Sequence, residues 1–241
     1  LILLSAIALC ALNVNATIIV SGDASIASAL NPAVPTFYNQ GDQQFFTNIL
    51  GNATDVAVFD QLGTNPFAFQ INNYYSSVSA INTSEIPTIS SSSLENVGML
   101  IVPLPVSAFS NDEMAIMNSY INGGGSVFFL GDAFTSSVKN AIINQMLLGI
   151  GSSLSIKNDS LDRGINKATA NQISPDVYTN GVQSLTYGFV SAVNSGTSLF
   201  STKNGTSFIA YEPTSVPEPS MAMLIIVSIV GFLGLKKRNR K

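Results

Sequence analysis

The chain has 241 residues, of which 46% are hydrophobic and only 10% charged, where an average soluble domain has roughly 25% charged. Histidine and tryptophan are absent and Cys10 is the single cysteine, which excludes a Ser-His-Asp triad, a Cys-His pair, a histidine general base and a Cys/His zinc site. Five of the ten cations fall in the last six residues, so residues 1–235 carry a net charge of −9, which repels phosphate backbones and argues against a nucleic-acid partner.

Leu1 to Leu12 is an uncharged apolar run, and Val14 and Ala16 are the small residues expected before a cut after Ala16. A signal peptide over residues 1–16 is therefore expected. Neither an initiator Met nor a basic n-region precedes the run, so the natural leader is expected to begin a few residues earlier. Leu9 is too large for a lipobox at Cys10. The mature chain would then hold no cysteine, and packing alone must stabilise it.

The body is expected over 17–214. Thr17-Ile18-Ile19-Val20 predicts a first strand running into the turn Ser21-Gly22-Asp23, and Asp23 to about Gly41 reads as a loop. Gln43 to Leu50 predicts a short amphipathic helix stopped by Gly51, and Val56-Ala57-Val58-Phe59 a buried strand. Gly63 to about Ser93 reads as a long polar and aromatic connection. The clearest signals lie between Leu94 and Ile150. Val97 to Val102 is a continuous apolar strand, Ser110 with Glu113 forms a capping box, and Met114, Met117 and Ile121 keep helical spacing behind it. Gly123-Gly124-Gly125 stops that helix, Ser126 to Leu130 is a second buried strand, and a further helix runs from about Ser137 to Leu148. Strand, helix, strand and helix with short turns make a right-handed βαβ unit and a parallel sheet. Ser155-Ile156, Ser198-Leu199-Phe200 and Ser207 to Tyr211 predict later strand pieces.

This middle stretch, Val97 to Gly149, resembles the non-catalytic relatives of the class I glutamine amidotransferase-like fold. The resemblance implies an α/β, three-layer flavodoxin-like sandwich with a mainly parallel sheet. In the enzymes of that fold a nucleophilic Cys sits in the sharp turn after a central strand, with His and Glu partners. The corresponding turn here is Gly131-Asp132-Ala133, without a Cys, and no His exists. That departure removes the amidotransferase mechanism.

Asp132 is the candidate ligand residue of the body, since open parallel sheets build sites at the carboxyl ends of their strands. Capping of the helix near Ser136 is its simpler role. Ser136-Ser137-Val138-Lys139 matches Ser-x-x-Lys but lacks the companion motifs of the hydrolases that use it. Asn158 to Gly164 hints at a calcium loop but has Arg163 where Gly belongs and lacks the bidentate Glu. Gly123-Gly124-Gly125 precedes a strand and has no following Lys-Ser/Thr, so it is no phosphate loop. Asn52-Ala53-Thr54, Asn82-Thr83-Ser84 and Asn204-Gly205-Thr206 read as Ser/Thr-rich surface. No cofactor or metal is expected.

The chain ends with Val216-Pro217-Glu218-Pro219-Ser220, fifteen uncharged residues from Met221 to Leu235, and Lys236-Lys237-Arg238-Asn239-Arg240-Lys241. A transmembrane helix is expected over 221–235, although its span of about 22 Å is short of a hydrocarbon core of about 30 Å. Lys236, Lys237, Arg238, Arg240 and Lys241 would flank it on the cytoplasmic side, leaving the body outside. This order over 216–241 resembles the PEP-CTERM sorting signal of Gram-negative bacteria, with Pro217, Glu218 and Pro219 as the recognised residues. The resemblance implies export, transient residence in the inner membrane, processing by an exosortase, and arrival at the cell surface or in the extracellular matrix. The function expected is a non-catalytic structural or binding role in extracellular polysaccharide. The alternative is an envelope carbohydrate- or peptide-acting hydrolase that uses carboxylates near Asp132.

Overall fold

The computed structural model describes residues 16–133 and 136–214. The leader expected over 1–16 lies outside them except for Ala16, and the sorting signal expected over 216–241 lies outside them altogether.

The elements follow in chain order. Strand β1 (Ala16–Ser21) leads through a 3-10 turn, Ser25–Leu30, to helix α1 (Gln40–Asn48) and strand β2 (Asp55–Phe59). Helix α2 (Pro66–Ser77) and strand β3 (Asn82–Ile86) come next. Strand β4 (Met99–Pro103), helix α3 (Asn111–Asn122), strand β5 (Ser126–Leu130) and helix α4 (Ser137–Gly149) complete the regular half. The rest is β: β6 (Ser155–Ile156), β7 (Asn166–Thr169), β8 (Ser184–Tyr187), β9 (Val193–Asn194), β10 (Thr197–Ser201) and β11 (Ser207–Thr214).

Seven strands form one sheet in the order β10-β11-β1-β5-β4-β2-β3. β1, β5, β4, β2 and β3 run parallel, and β11 and β10 extend the sheet in antiparallel fashion beyond β1. The apolar runs of β1, β2, β4 and β5 are buried on both faces, as parallel strands covered on two sides must be. Alternation then sorts their side chains. Ile19, Val58, Ile101 and Phe128 meet α1 and α2, while Val20, Ala57, Leu100 and Phe129 meet α3 and α4.

Local chemistry explains the helix boundaries. Ser110 and Glu113 form the reciprocal capping box at the start of α3, and Asn65 caps α2 by accepting from the amides of Phe67 and Ala68, with Pro66 behind it. That cap, together with Ala68, Ile71 and Tyr75 buried along one face, makes a helix within a stretch that reads as a connection. β3 was hidden because it is a polar edge strand, with only Ile86 buried. The Ala-rich segment after Asp23 is likewise no open loop, since Ile26, Ala27, Ala29 and Leu30 pack into the core.

The expected fold class needs correction. The chain is α/β with a mostly parallel mixed sheet, but it is not a flavodoxin-like sandwich with a membrane helix. β3-β2-β4-β5 follow the flavodoxin order, but the place beyond β5 is taken by β1 and the antiparallel pair β11-β10. The residues after Ile150 are Ser-, Asn- and Gly-rich without helical spacing, so two-stranded ribbons cover that half in place of helices. The β7–β8 ribbon adds Ala168, Leu185 and Tyr187 to one face, and β6–β9 adds Ile156 and Val193 to the other. Among the described residues no helix is long and apolar enough to cross a membrane, and residues 221–235 lie outside them.

Phe128 sits where these elements meet, with ring centroids 6.0 Å from Phe45 and 5.8 Å from Phe46, and no solvent exposure. Phe128→Ala is expected to lower unfolding free energy by about 3–5 kcal/mol, read from the denaturant midpoint at an unchanged slope.

Candidate functional site

The carboxyl ends of β1 and β5 carry the most built-up polar region of the body. After β1 the chain must pass close beneath Ser191: a Cβ on Gly22 would lie 1.9 Å from the Ser191 carbonyl oxygen, so only glycine fits. Asp23 follows, fully buried. Its Oδ1 accepts from the Ser25 amide at 2.7 Å and from Ser25 Oγ at 2.6 Å, and its Oδ2 accepts from the Gly188 amide at 2.7 Å. Two residues before Gly188, the Thr186 amide donates to Asp42 Oδ2 at 2.9 Å. Asn39 Nδ2 donates to Ser184 Oγ at 3.0 Å. β8 pairs with β7 on one side, and on its other side these side chains stand where a neighbouring strand would.

After β5, Asp132 is held by its own peptide. Its amide donates to Asn140 Oδ1 at 3.0 Å, while its carbonyl accepts from Asn140 Nδ2 at 2.6 Å and from Ser191 Oγ at 2.8 Å. The Asp132 carboxylate accepts from the Ala133 amide at 2.8 Å and, at the limit of a hydrogen bond, from Ser136 Oγ at 3.5 Å. It therefore closes its own turn, and Ser136 starts α4 without a side-chain cap.

Between these two loops opens a cleft of about 560 Å³, within the range of small-ligand sites. Ser25, Asp132, Ser160 and Arg163 supply polar groups, and Phe37, Ile165 and Phe189 apolar walls. Phe189 is 47% exposed and adjoins Gly188, so the Asp23 clamp sets the position of an aromatic wall. Asp132 is the only acid among the described residues that line it.

A smaller cavity of about 210 Å³ lies outside β2 and β4, where the helices change face and α/β sheets commonly bind ligands. Two of its polar groups already serve the backbone. Asp60 accepts from the amides of Leu62 and Asn65, and Asn65 Nδ2 donates to the Pro103 carbonyl at 2.7 Å. The strained turn after a central strand is found here, at Leu104 with φ +43°, and not at Asp132. A leucine there offers no nucleophile.

The other sequence candidates are not brought together as catalytic groups. Lys139 lines the smaller cavity while Ser136 donates to Asp132. Asp159 accepts from the Ala192 amide, and Asp162 accepts from the Tyr187 hydroxyl and the Lys203 amide, so the acidic turn ties loops together. Among the described residues no group of three acids, cysteines or histidines is placed to hold a metal. Pro217, Glu218, Pro219, Lys236, Lys237, Arg238, Arg240 and Lys241 lie outside the described residues. Sequence reading missed the roles of Asp23, Asp42 and Asn140, each of which has a partner in the remote segment Thr186 to Ser191.

No protein-family model matches the chain, and no curated protein matches it. A solved structure described as "mmIFT52 N-terminal domain" is similar at 14% identity and a TM-score of 0.46, over 64% of this chain and 78% of that one. That similarity is too weak to carry fold or function from one protein to the other.

Burial raises the Asp23 carboxyl to about 7, and the neighbouring charge of Asp132 adds to the effect against the lowering by Ser25 and Gly188. Burial likewise pushes Asp42 well above the carboxylate range, its Oδ1 having no hydrogen-bond partner, and raises Asp132. A carboxyl raised in the folded state binds its proton more tightly there than in the unfolded chain. The stability it contributes is complete below the unfolded value of 3.8 and is lost as pH rises through about 7. The melting temperature is expected to be several degrees higher at about pH 5 than at about pH 8. Asp23→Asn is expected to flatten that slope, as followed by thermal unfolding across the pH range.

Proposed function

We propose that the protein is an exported, exosortase-sorted envelope protein whose body binds extracellular polysaccharide without catalysis. The cleft at the carboxyl ends of β1 and β5 is the observation that carries the binding reading. Aromatic and aliphatic walls offer flat apolar contact to sugar ring faces, while the Asp132 carboxylate, the Arg163 guanidinium and the hydroxyls of Ser25 and Ser160 offer hydrogen bonds to their hydroxyls. Acid–base hydrolysis of a glycosidic bond calls for two carboxyl groups across the substrate, roughly 5–9.5 Å apart. Among the described residues only Asp132 of the acids lines the cleft, and Asp23 is buried with both oxygens engaged. The hydrolase alternative therefore has one carboxyl group where it needs two. The sorting half of the proposal draws on Pro217-Glu218-Pro219, the uncharged run after it and the basic end.

The binding reading is tested by retention of the purified protein on matrix polysaccharide from the producing cells. Phe189→Ala and Asp132→Asn are each expected to weaken retention by about tenfold with the melting temperature little changed. No new reducing ends should form. Equal retention of both variants would remove the cleft as the site, and release of reducing ends lost in Asp132→Asn would favour the hydrolase. For sorting, Glu218→Ala is expected to leave export intact and block processing, so that the full-length chain accumulates. Equal processing of both chains in an exosortase-bearing host would defeat that half.

A further inference from the structure

The start of β1 and the end of β11 lie side by side. Ala16 opens β1, Thr214 closes β11, the two are paired, and Thr214 Oγ1 donates to the Ala16 carbonyl at 2.9 Å. Because β1 runs parallel to β5, its start belongs to the amino edge of the parallel strands. The cleft lies at the opposite edge, on residues that follow β1 and β5: Ser25, Asp132 and Ala133. The six residues of β1 set the two edges about 20 Å apart.

Exposed large apolar residues occur at both edges: Leu62, Val106, Val138, Ile165 and Phe189 at the carboxyl edge and Val177 at the amino edge. The amino edge is also tied by polar contacts. Tyr178 hydroxyl bonds Thr17 Oγ1 at 2.9 Å, Tyr211 donates to Asp176, and Ser153 donates to Glu212.

Six residues, Ser215 to Ser220, separate Thr214 from the uncharged run that begins at Met221. Fully extended, that connection spans at most about 25 Å. A compact body of this size is about 40 Å across, so a body held through its tail cannot turn over.

We propose that the amino edge is the attachment face and the carboxyl edge the recognition face. While the chain is held at the envelope through residues 215–241, its cleft points outward to the matrix. This inference rests on the sorting reading and adds to it the direction in which the body is displayed.

The test uses the full chain carrying Glu218→Ala, which is expected to keep it attached, on spheroplasts of the host. A cysteine is placed at Val177, 76% exposed beside the Tyr178 contact of the amino edge, or at Leu62, 66% exposed at the carboxyl edge. Each is labelled with a bulky polyethylene-glycol maleimide, and the unsubstituted chain, whose only cysteine is Cys10, gives the blank. Val177→Cys is expected to react several-fold more slowly than Leu62→Cys on spheroplasts, and at an equal rate once the chain is solubilised in detergent. A long Gly/Ser insertion after Thr214 should restore labelling at Val177 on spheroplasts. Equal rates at both positions on spheroplasts, without the insertion, would overturn the orientation while leaving attachment intact. Chain recovered wholly in the medium would overturn the sorting reading, and the orientation with it.

Discussion

β1 is paired on both sides, with β5 in parallel and β11 in antiparallel, and so joins segments up to 198 residues apart. That double pairing is a long-range constraint with two consequences. The antiparallel extension β11-β10 exists only because β1 has a free edge beyond β5. The turn after β1 is pressed under Ser191, which demands Gly22 and delivers Asp23 to the amide of Gly188. Remove β1 from its place and the cleft loses the Ser25 loop and the anchor of its Phe189 wall.

Scarcity of charge shapes the interior as much as the packing does. Asp23 and Asp42 are buried with no cationic partner among the described residues, each accepting a backbone amide of the β8 segment. Such groups satisfy donors that a missing strand would otherwise leave unpaired, at the cost of removing carboxylates from water. Their raised titration follows from that desolvation. It ties the stability of the cleft wall to a proton, whereas a strand in the same place would have been indifferent to pH.

Legibility in the sequence follows the range of the interactions. The Ser110–Glu113 capping box, the glycines that end α3 and the apolar runs of β4 and β5 act within a few residues, and each was readable. α2 was readable in principle from Asn65-Pro66 and the spacing of Ala68, Ile71 and Tyr75, but its Phe, Tyr and Asn content masks a helix. β3, β7 and β8 carry little periodicity, because each is short, polar or half exposed. Asp132 could be singled out since it ends an apolar strand before a helix. Asn140 and Ser191, which fix its peptide, could not, because nothing in their neighbourhoods shows that they meet.

The amino-acid sequence by itself determined the α/β class, the parallel βαβ unit from β4 to α4, and the absence of histidine and of all but one cysteine. These depend on composition and on periodicities of two and 3.6 residues, which are local properties. Tertiary structure alone decided that β1 sits between β5 and β11, that ribbons replace helices over half of the sheet, and that Ser25, Asp132, Arg163 and Phe189 share one cleft. Those outcomes depend on which buried surfaces and unpaired backbone groups find one another across more than a hundred residues, and no local pattern encodes that meeting.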